Sequence, residues 1–371
     1  MPHDPYRALY LHIPFCVSRC GYCDFTTRAC AADDRRMDDY VERLILEIRR
    51  KAKEGELAAI ETVYLGGGTP THLGHGRLSS LLYALSLSVD LAREGMEFTV
   101  EANPESLDGR LVKDIWALGA NRLSLGVQSF DDEVLALLGR AHDARQARDA
   151  LTAARERFQS LSIDLMCGIP GQSRSSFEDS LRQAVALDVP HISVYPLSIE
   201  PRTPFDKAVL SGLMEPVDDD EQAEQMLLAQ VLLQDAGYRR YEVASYAKPG
   251  FECRHNRAYW TGVPYLGLGE AAATMTQNDQ RRMRVTDGQV TDDLDRPQRE
   301  AEDLMLAMRM ADGISEGQLA RAAAYLPEAP AVLDALVADG YAVRRDGAYR
   351  PTQRGWLCGN DLYGRLFDLG C

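Results

Sequence analysis

The sequence predicts an α/β protein built on a partial, TIM-like (β/α)6 barrel, followed by a small, winged-helix-like α/β C-terminal domain. Between residues 8 and 200, short apolar runs rich in β-branched residues alternate with longer stretches whose apolar residues recur at helical spacing. Such a serial pattern requires parallel strands, because each helical crossover returns the chain to the same edge of the sheet. Six units are fewer than the eight of a closed barrel, so we expect an open one.

The predicted elements follow one another with short connections. Six strands are expected, over Ala8–Ile13, Thr62–Leu65, Glu97–Glu101, Arg122–Gly126, Ser162–Met166 and His191–Tyr195. The helices between them are expected over Asp38–Lys53, Leu78–Leu91, Leu107–Leu118, Ala144–Phe158 and Ser175–Leu187. The C-terminal pattern predicts helices over Ala301–Met310, Ser315–Ala323 and Ala329–Asp339, then a hairpin of Tyr341–Arg345 and Ala348–Thr352. We divide the chain into a barrel (1–215), a barrel extension that carries an aromatic motif (216–296) and the C-terminal domain (297–371).

Composition excludes several classes of protein. The 371 residues are 45% hydrophobic, which is enough for a large core and argues against disorder. A net charge of −15 gives no electrostatic basis for binding nucleic acid. The first residues lack the basic and apolar regions of a signal peptide, and no run of about 18 apolar residues occurs. We therefore expect a cytoplasmic protein that is not integral to a membrane.

Three cysteines, Cys16, Cys20 and Cys23, follow the first strand with the spacing C-x3-C-x2-C. One tight loop thus offers three thiolates, which suits an iron–sulfur cluster with one iron left free for a substrate. A structural zinc site normally has four ligands, and the nearest further candidates, His12 and Cys30, lack the usual spacing. A redox pair would use only Cys20 and Cys23. The cluster is the interpretation that gives all three cysteines a role.

Further polar or glycine-rich residues fall at or near the C-terminal ends of the predicted strands. The run Gly66–Pro70 follows the second strand, while Glu101, Gln128 and Asp164 lie at the third, fourth and fifth. In parallel α/β folds, ligands collect at this face. The alternatives are a tight glycine turn and solvated charges. Arg140 could pair with a ligand carboxylate as a fork donor or be an ordinary cation at a helix end.

An aromatic motif, His255-Asn-Arg-Ala-Tyr259-Trp260, lies in the extension. Histidine is a common axial ligand of haem iron, and neighbouring aromatic rings could pack on a porphyrin face. A histidine beside aromatic residues is also often a buried structural residue. Tyr10 is by default a core aromatic residue whose hydroxyl needs one hydrogen-bond partner.

Together these stretches resemble, over nearly the whole chain, the HemN/HemW group of the radical S-adenosylmethionine (SAM) superfamily. That group comprises oxygen-independent coproporphyrinogen III dehydrogenases (oxidases) and HemW haem chaperones. The HemW branch is the more similar, since dehydrogenases carry C-x3-C-x2-C-x-C after a longer N-terminal arm, whereas Phe25 stands here in place of the fourth cysteine. The matching stretches are Leu11–Cys16, Tyr64–Pro70, Val100–Pro104, Ser124–Phe130, Ile163–Pro170 and Cys253–Trp260.

The resemblance implies which residues hold the cofactors. It implies a [4Fe-4S] cluster on the three cysteines and associates haem binding with His255. One departure is Glu270: HemW-like sequences tend to have small residues and a histidine in this loop, where this chain reads Gly269-Glu-Ala-Ala-Ala. The residues implied for SAM are Tyr10, Tyr22, Gly67, Gly68, Thr69, Glu101, Gln128, Arg140 and Asp164.

The function implied by the resemblance is that of a haem chaperone, which binds haem and transfers it to a haem-accepting protein, with an electron donor that the sequence does not identify. The alternative is an oxygen-independent coproporphyrinogen III dehydrogenase, an oxidoreductase. In that reaction a 5′-deoxyadenosyl radical derived from SAM starts the oxidative decarboxylation of propionate side chains, which gives protoporphyrinogen IX. A third interpretation is a radical SAM enzyme acting on an unrelated small molecule.

Overall fold

The computed structural model of the protein describes residues 3–371. Its main feature is a 12-stranded sheet in the order β14-β13-β12-β11-β1-β4-β5-β6-β7-β8-β10-β9, whose strands from β11 to β8 run parallel. The strands are β1 (Ala8–Ile13), β2 (Phe15–Cys16), β3 (Arg28–Ala29), β4 (Thr62–Gly67), β5 (Glu97–Ala102), β6 (Arg122–Gln128), β7 (Ser160–Cys167), β8 (His191–Pro196), β9 (Arg239–Arg240), β10 (Ser245–Ala247), β11 (Tyr265–Leu268), β12 (Ala273–Gln277), β13 (Arg282–Thr286), β14 (Gln289–Leu294), β15 (Ile314–Ser315), β16 (Ala342–Arg345) and β17 (Ala348–Pro351).

The helices lie between these strands and at the C-terminal end of the chain. They are α1 (Arg36–Lys53), α2 (Gly74–Ser86), α3 (Gly109–Ala117), α4 (Asp132–Leu138), α5 (Ala144–Arg155), α6 (Arg174–Ala186), α7 (Pro204–Leu210), α8 (Asp219–Asp235), α9 (Arg254–Trp260), α10 (Arg296–Ala307), α11 (Glu316–Ala322), α12 (Ala329–Ala338), α13 (Gln353–Leu357) and α14 (Gly359–Phe367).

The predicted partial barrel is confirmed. The six expected strands are β1 and β4 to β8, and the helices α1, α2, α3, α5 and α6 connect them in parallel order. The largest difference in bounds is at α2. This helix begins at Gly74, four residues before the expected start, and ends at Ser86, five residues before the expected end. The sequence analysis did not foresee the short helices α4, α7 and α9.

Side chains alternate along each strand between the helices outside and the barrel interior. On β5, Phe98 and Val100 are fully buried in the main hydrophobic core, whereas Thr99 and Glu101 line internal cavities. This two-residue period is the usual one for a strand with two different faces. Here the outer face is apolar and the inner face is polar, so the barrel interior is where charged groups can be held.

A seventh parallel strand, β11, pairs with β1 on the side away from β4. The sequence analysis did not predict it, because its four residues include a glycine and give too short an alternation to be recognised. The antiparallel strands β12 to β14 continue the sheet at this edge, and β10 and β9 continue it at the other. These additions extend the barrel beyond its six β/α units.

Helix α9 lies at the N-terminal ends of the barrel strands, opposite the predicted ligand face. Its His255 contacts Thr62, the first residue of β4, with 2.9 Å between Nδ1 and Oγ1. The carboxylate of Glu97, the first residue of β5, accepts the backbone N–H groups of Arg254 and His255. Because the first N–H groups of a helix have no partner within the helix, Glu97 fixes where α9 begins.

The C-terminal residues have a hydrophobic core of their own, which α10, α11, α12 and α14 share with the sheet β15-β17-β16. From α10 to β17 the order of elements is helix, strand, helix, helix, strand, strand, which resembles that of a winged-helix domain, and the helices α13 and α14 follow. Two capping boxes, Asp295 with Gln298 and Ser315 with Gln318, set the starts of α10 and α11. Over residues 3–371, no helix has both the length and the apolar character needed to span a membrane.

A buried ion cluster joins the sheet extension to α10. The side chain of Arg282 on β13 is 1% exposed and donates to Glu302 (2.6 Å) and to Asp303 (2.7 Å). Arg284 adds a second contact to Glu302 at 2.8 Å. Buried charges of this kind are stable only while they are paired.

Replacing Arg282 by Met should therefore lower the free energy of unfolding by about 3–5 kcal/mol, because it leaves buried carboxylates without their partner. The matched control is Arg281→Met next to it, whose ion pair with Asp293 is about half exposed and should contribute less than about 1 kcal/mol. Urea unfolding measures both variants. Equal losses in the two would contradict the proposed importance of the buried cluster.

Candidate cofactor-binding site

A cavity of about 380 Å³ opens at the C-terminal ends of the parallel strands. The structure brings most of the predicted cofactor residues to its wall, whereas Tyr10, Thr69 and His255 do not line it. The predicted residues on the wall are Cys16, Cys20, Tyr22, Cys23, Gly67, Gly68, Glu101, Gln128, Arg140 and Asp164.

The cysteine loop is held by the protein on both sides. The backbone N–H of Gly21 donates to the carbonyl of Leu138 at the end of α4 (3.1 Å), and its carbonyl accepts from the N–H of Phe205 on α7 (3.0 Å). The ring of Tyr22 meets the edge of the Phe205 ring at 6.3 Å. These two helices were not predicted, yet each makes a backbone hydrogen bond to Gly21 in the loop.

A chain of hydrogen bonds links two of the thiols. Thr69 Oγ1 lies 3.5 Å from Cys16 Sγ, and Arg140 Nη1 lies 3.4 Å from Cys20 Sγ. Asn103 joins the two donors, because its Nδ2 donates to Thr69 Oγ1 (2.8 Å) and its Oδ1 accepts from Arg140 Nη2 (2.6 Å). Donors aimed at sulfur favour the thiolate form and tune the potential of a bound cluster.

Asn103 was missing from the predicted site residues. The available signal was its place, two residues beyond Glu101 at the end of β5 and within a stretch that matches the family. Gly126 on the neighbouring strand makes room for it, since a Cβ atom there would lie 2.6 Å from Asn103 Oδ1. The Gly126 carbonyl in turn accepts from Arg140 at 2.8 Å. The position of the Arg140 guanidinium therefore depends on both neighbours.

The chemistry of the three cysteines fits an iron–sulfur cluster. Burial raises the pKa of Cys16 to about 11 and also raises the pKa of Cys23, so without metal these thiols keep their protons and would release them when iron binds. Within residues 3–371, no three acidic, histidine or cysteine side chains stand close enough to hold one ion. A cluster presents separate iron atoms, so its ligand sulfurs lie further apart. No fourth cysteine and no histidine lines the described wall.

Glu101 is oriented by two donors. Tyr64 OH donates to its Oε1 at 2.6 Å, and the backbone N–H of Gly67 donates to its Oε2 at 3.1 Å. Gly67 has φ +111°, a conformation that favours glycine, and this turn directs its N–H at the carboxylate. Burial raises the pKa of Glu101, while both hydrogen bonds oppose that shift. Tyr64, on the inward face of β4, was also missing from the predicted site residues.

Asp164 is a second carboxylate in the same buried space. Burial, and then the charge of Glu101, raise its pKa to about 7, against a hydrogen bond from Ser193. Among the described residues, Arg140 Nε is buried without a hydrogen-bond partner. Two carboxylates and an incompletely bonded guanidinium suit a ligand that carries both cationic and carboxylate groups, as SAM does. Gln128, with φ +66°, adds the backbone strain that is common at binding sites.

Three predicted residues lie elsewhere. Thr69 touches the site through Cys16, as described above, and Tyr10 OH lies 3.0 Å from His12 Nδ1. His255 is 1% exposed, and its ring nitrogens are 2.9 Å from Thr62 Oγ1 and 3.1 Å from Tyr259 OH. Burial lowers its pKa to about 3. A haem iron binds one imidazole nitrogen, so it could reach this ring only if the ring gave up one of these two partners.

Glu270, the departure from the family pattern, follows the end of β11. Its carboxylate pairs with Arg28 on β3, the strand next to Cys16, and its N–H donates to Tyr40 OH at 3.1 Å. The loop is thereby tied to the cluster side of the barrel. A larger cavity of about 720 Å³ lies between α1 and the strands β11 to β13, but none of the predicted cofactor residues lines it.

Comparison with known families finds a match over residues 10–184 to the Radical SAM superfamily. This range contains every residue predicted for the cluster and for SAM, whereas His255 lies outside it. Among solved structures, coproporphyrinogen III oxidase (HemN) from Escherichia coli, described as a radical SAM enzyme, superposes with a TM-score of 0.81. That superposition covers 98% of this chain and 90% of HemN at 22% identity, so it shows a shared fold.

Curated relatives match over most of the chain. The heme chaperone HemW of Escherichia coli is 39% identical over 292 residues, which is 76% of this chain and 74% of the relative. The heme chaperone HemW of Bacillus subtilis is 32% identical over 375 residues, or 96% of this chain and 98% of the relative. The second match includes the aromatic motif and the C-terminal domain.

Replacing Cys20 by Ser should reduce the iron content and the visible absorbance of the reconstituted protein to near background, because two thiolates cannot hold the cluster. The matched control is Cys358→Ser, an exposed cysteine in the C-terminal domain that should leave both readouts unchanged. Iron analysis and absorbance spectra under anaerobic conditions measure the effect. Full iron content in the Cys20 variant would refute the ligand assignment.

Asp164→Asn should change how stability depends on pH. The pKa of Asp164 is about 7 in the folded protein, and that of an aspartate in an unfolded chain is about 4. Between these values the folded state holds a proton on Asp164 that the unfolded state has lost, so the contribution of Asp164 to stability without SAM should decline as the pH rises from about 4 to 7 and then level off. Urea unfolding at several pH values should therefore show that the free energy of unfolding of the wild type declines relative to that of the variant over this range. Parallel curves would contradict it.

Proposed function

The chain belongs to the HemW family of the radical SAM superfamily, and from this premise we propose that it is a haem chaperone, which binds haem and transfers it to a haem-accepting protein. The observation that carries the proposal is the likeness to the Bacillus subtilis haem chaperone over nearly the full length of both chains. Similarity confined to the cofactor site would support only shared cofactors, whereas this one includes the residues outside the barrel.

The proposal includes a [4Fe-4S] cluster and SAM, the cofactors implied by the family. When bound, they supply one-electron chemistry that protein side chains cannot perform. In this proposal Cys16, Cys20 and Cys23 hold the cluster, and Arg140 holds the carboxylate of SAM. Glu101 meets its amino or ribose groups, because Tyr64 and Gly67 already fix the direction of its oxygens.

Phe25 supports the chaperone over the dehydrogenase. It lies on the wall of the cofactor cavity with 63% of its surface exposed, so it offers an apolar surface at the mouth and no fourth thiol. The likeness to the solved dehydrogenase is one of fold. Coproporphyrinogen III dehydrogenation therefore remains the alternative that an experiment should exclude.

The partners in this proposal are haem, a haem-accepting protein and an electron donor for the cluster. We also propose a cytoplasmic location, because the cluster ligands must remain reduced thiolates, and all eight cysteines of the chain are free.

Two anaerobic measurements on the cluster-reconstituted protein test the proposal. Titration with haemin should give a Soret band that differs from that of haemin in buffer and saturates at a fixed stoichiometry. Incubation with reductant, SAM and coproporphyrinogen III should give no protoporphyrinogen IX beyond the amount of protein present. Catalytic formation of that product would establish the dehydrogenase, and an unchanged Soret band would remove the haem function.

A further inference from the structure

We infer that His255 is a positioning residue for the SAM site, which acts on the Glu101 carboxylate through the ring of Tyr64. The inference rests on the SAM site of the family and not on the haem function. It gives the aromatic motif of α9 a role inside the barrel that nothing about its spacing reveals.

The first observation is a direct line of contacts from α9 to Glu101. The His255 imidazole stacks on the Tyr64 ring, with 5.0 Å between centroids and 28° between planes. Tyr64 then donates its hydroxyl proton to Glu101 at 2.6 Å. Because the interior is close-packed, the ring of Tyr64 cannot tilt or slide without changing both contacts. The imidazole therefore limits where the Tyr64 hydroxyl can lie.

His255 can position Tyr64 only if it is itself held in place, and its own contacts hold it. Its ring nitrogens are bonded to Thr62 and Tyr259, and its backbone N–H donates to Glu97 at 2.8 Å. Glu97 and Glu101 lie on the same strand, β5, four residues apart and on the same face. Helix α9 thus contacts the beginning of that face directly and its end through Tyr64.

A small internal chamber provides a second connection. Its volume is about 50 Å³, and Asn256 of α9 lines it together with Thr99, Glu101 and Asp164. The Thr99 side chain is 0% exposed, and its Oγ1 has no protein partner. A polar chamber of this size has room for a few water molecules, since each needs roughly 10–15 Å³ and several polar partners. Such water would connect Asn256 with both carboxylates of the SAM site.

The test compares two variants of His255 that differ in the stacking surface. His255→Phe keeps a flat ring against Tyr64 and loses the two hydrogen bonds of the imidazole. His255→Ala loses the ring as well as the hydrogen bonds. We expect SAM affinity, measured by equilibrium dialysis on the reconstituted protein, to fall about three- to tenfold in the Ala variant and less in the Phe variant. Haemin should bind to both as it binds to the wild type.

A double-mutant cycle identifies the route. Tyr64→Phe keeps the ring and removes the donor to Glu101, so it should weaken SAM binding by itself. If His255 acts through Tyr64, combining His255→Ala with Tyr64→Phe should weaken binding by less than the product of the two separate effects. Leu333→Ala, in the core of the C-terminal domain, controls for general loss of stability and should leave SAM affinity unchanged.

Three results would overturn the inference: an unchanged SAM affinity in His255→Ala, independent effects in the cycle, or loss of the haemin Soret band in His255→Phe. The last result would assign iron ligation to the imidazole. Iron content and circular dichroism of each variant verify that the cluster and the fold are retained. If the wild-type protein binds no haemin, the proposed chaperone function fails, while the SAM measurements still decide the role of His255.

Discussion

The burial of two carboxylates, Glu101 and Asp164, inside the barrel is the constraint on which the rest of the site depends. A charge taken out of water is stable only with partners, and a neighbouring like charge makes the requirement stricter. Tyr64 and the N–H of Gly67 supply those partners for Glu101, and Ser193 lies opposite Asp164 on the neighbouring strand β8. The polar inner faces of the strands and the glycine-rich turn provide these hydrogen-bond partners. A cationic ligand would provide the compensating charge.

The residues proposed to hold the cluster and SAM also form one hydrogen-bonded unit. Asn103 connects Thr69, which contacts Cys16, to Arg140, which contacts Cys20. The Nε of the same guanidinium is buried and has no hydrogen-bond partner among the described residues. A change in the position of Arg140 on binding a carboxylate would therefore alter the hydrogen bond to a cluster ligand, and such bonds influence the reduction potential. In the proposed site, ligand binding and electron transfer would therefore be coupled through Arg140.

Regular and local signals made much of the structure predictable. The alternation of strands and helices predicts the parallel order, and the cysteine spacing and the polar strand ends indicate which face of the barrel holds the ligands. What failed depended on tertiary packing. Strand β11 is too short for a periodic signal, and Asn103 and Tyr64 matter because of neighbours that are distant in sequence. The sequence around His255 would read the same whether its imidazole bound iron or packed against Tyr64.

Residues 253–270 connect these features into one continuous segment. It begins with α9, whose His255 lies below Glu101, continues as β11 alongside β1, and ends where Glu270 pairs with Arg28 beside the strand of Cys16. The segment therefore contacts the SAM side from inside the barrel and the cluster side from its rim. A ligand with different affinities for two positions of this segment would change the affinity for SAM, and SAM would change the affinity for that ligand by the same factor. A ligand bound to this segment would thus be coupled to SAM without any contact between the two ligands.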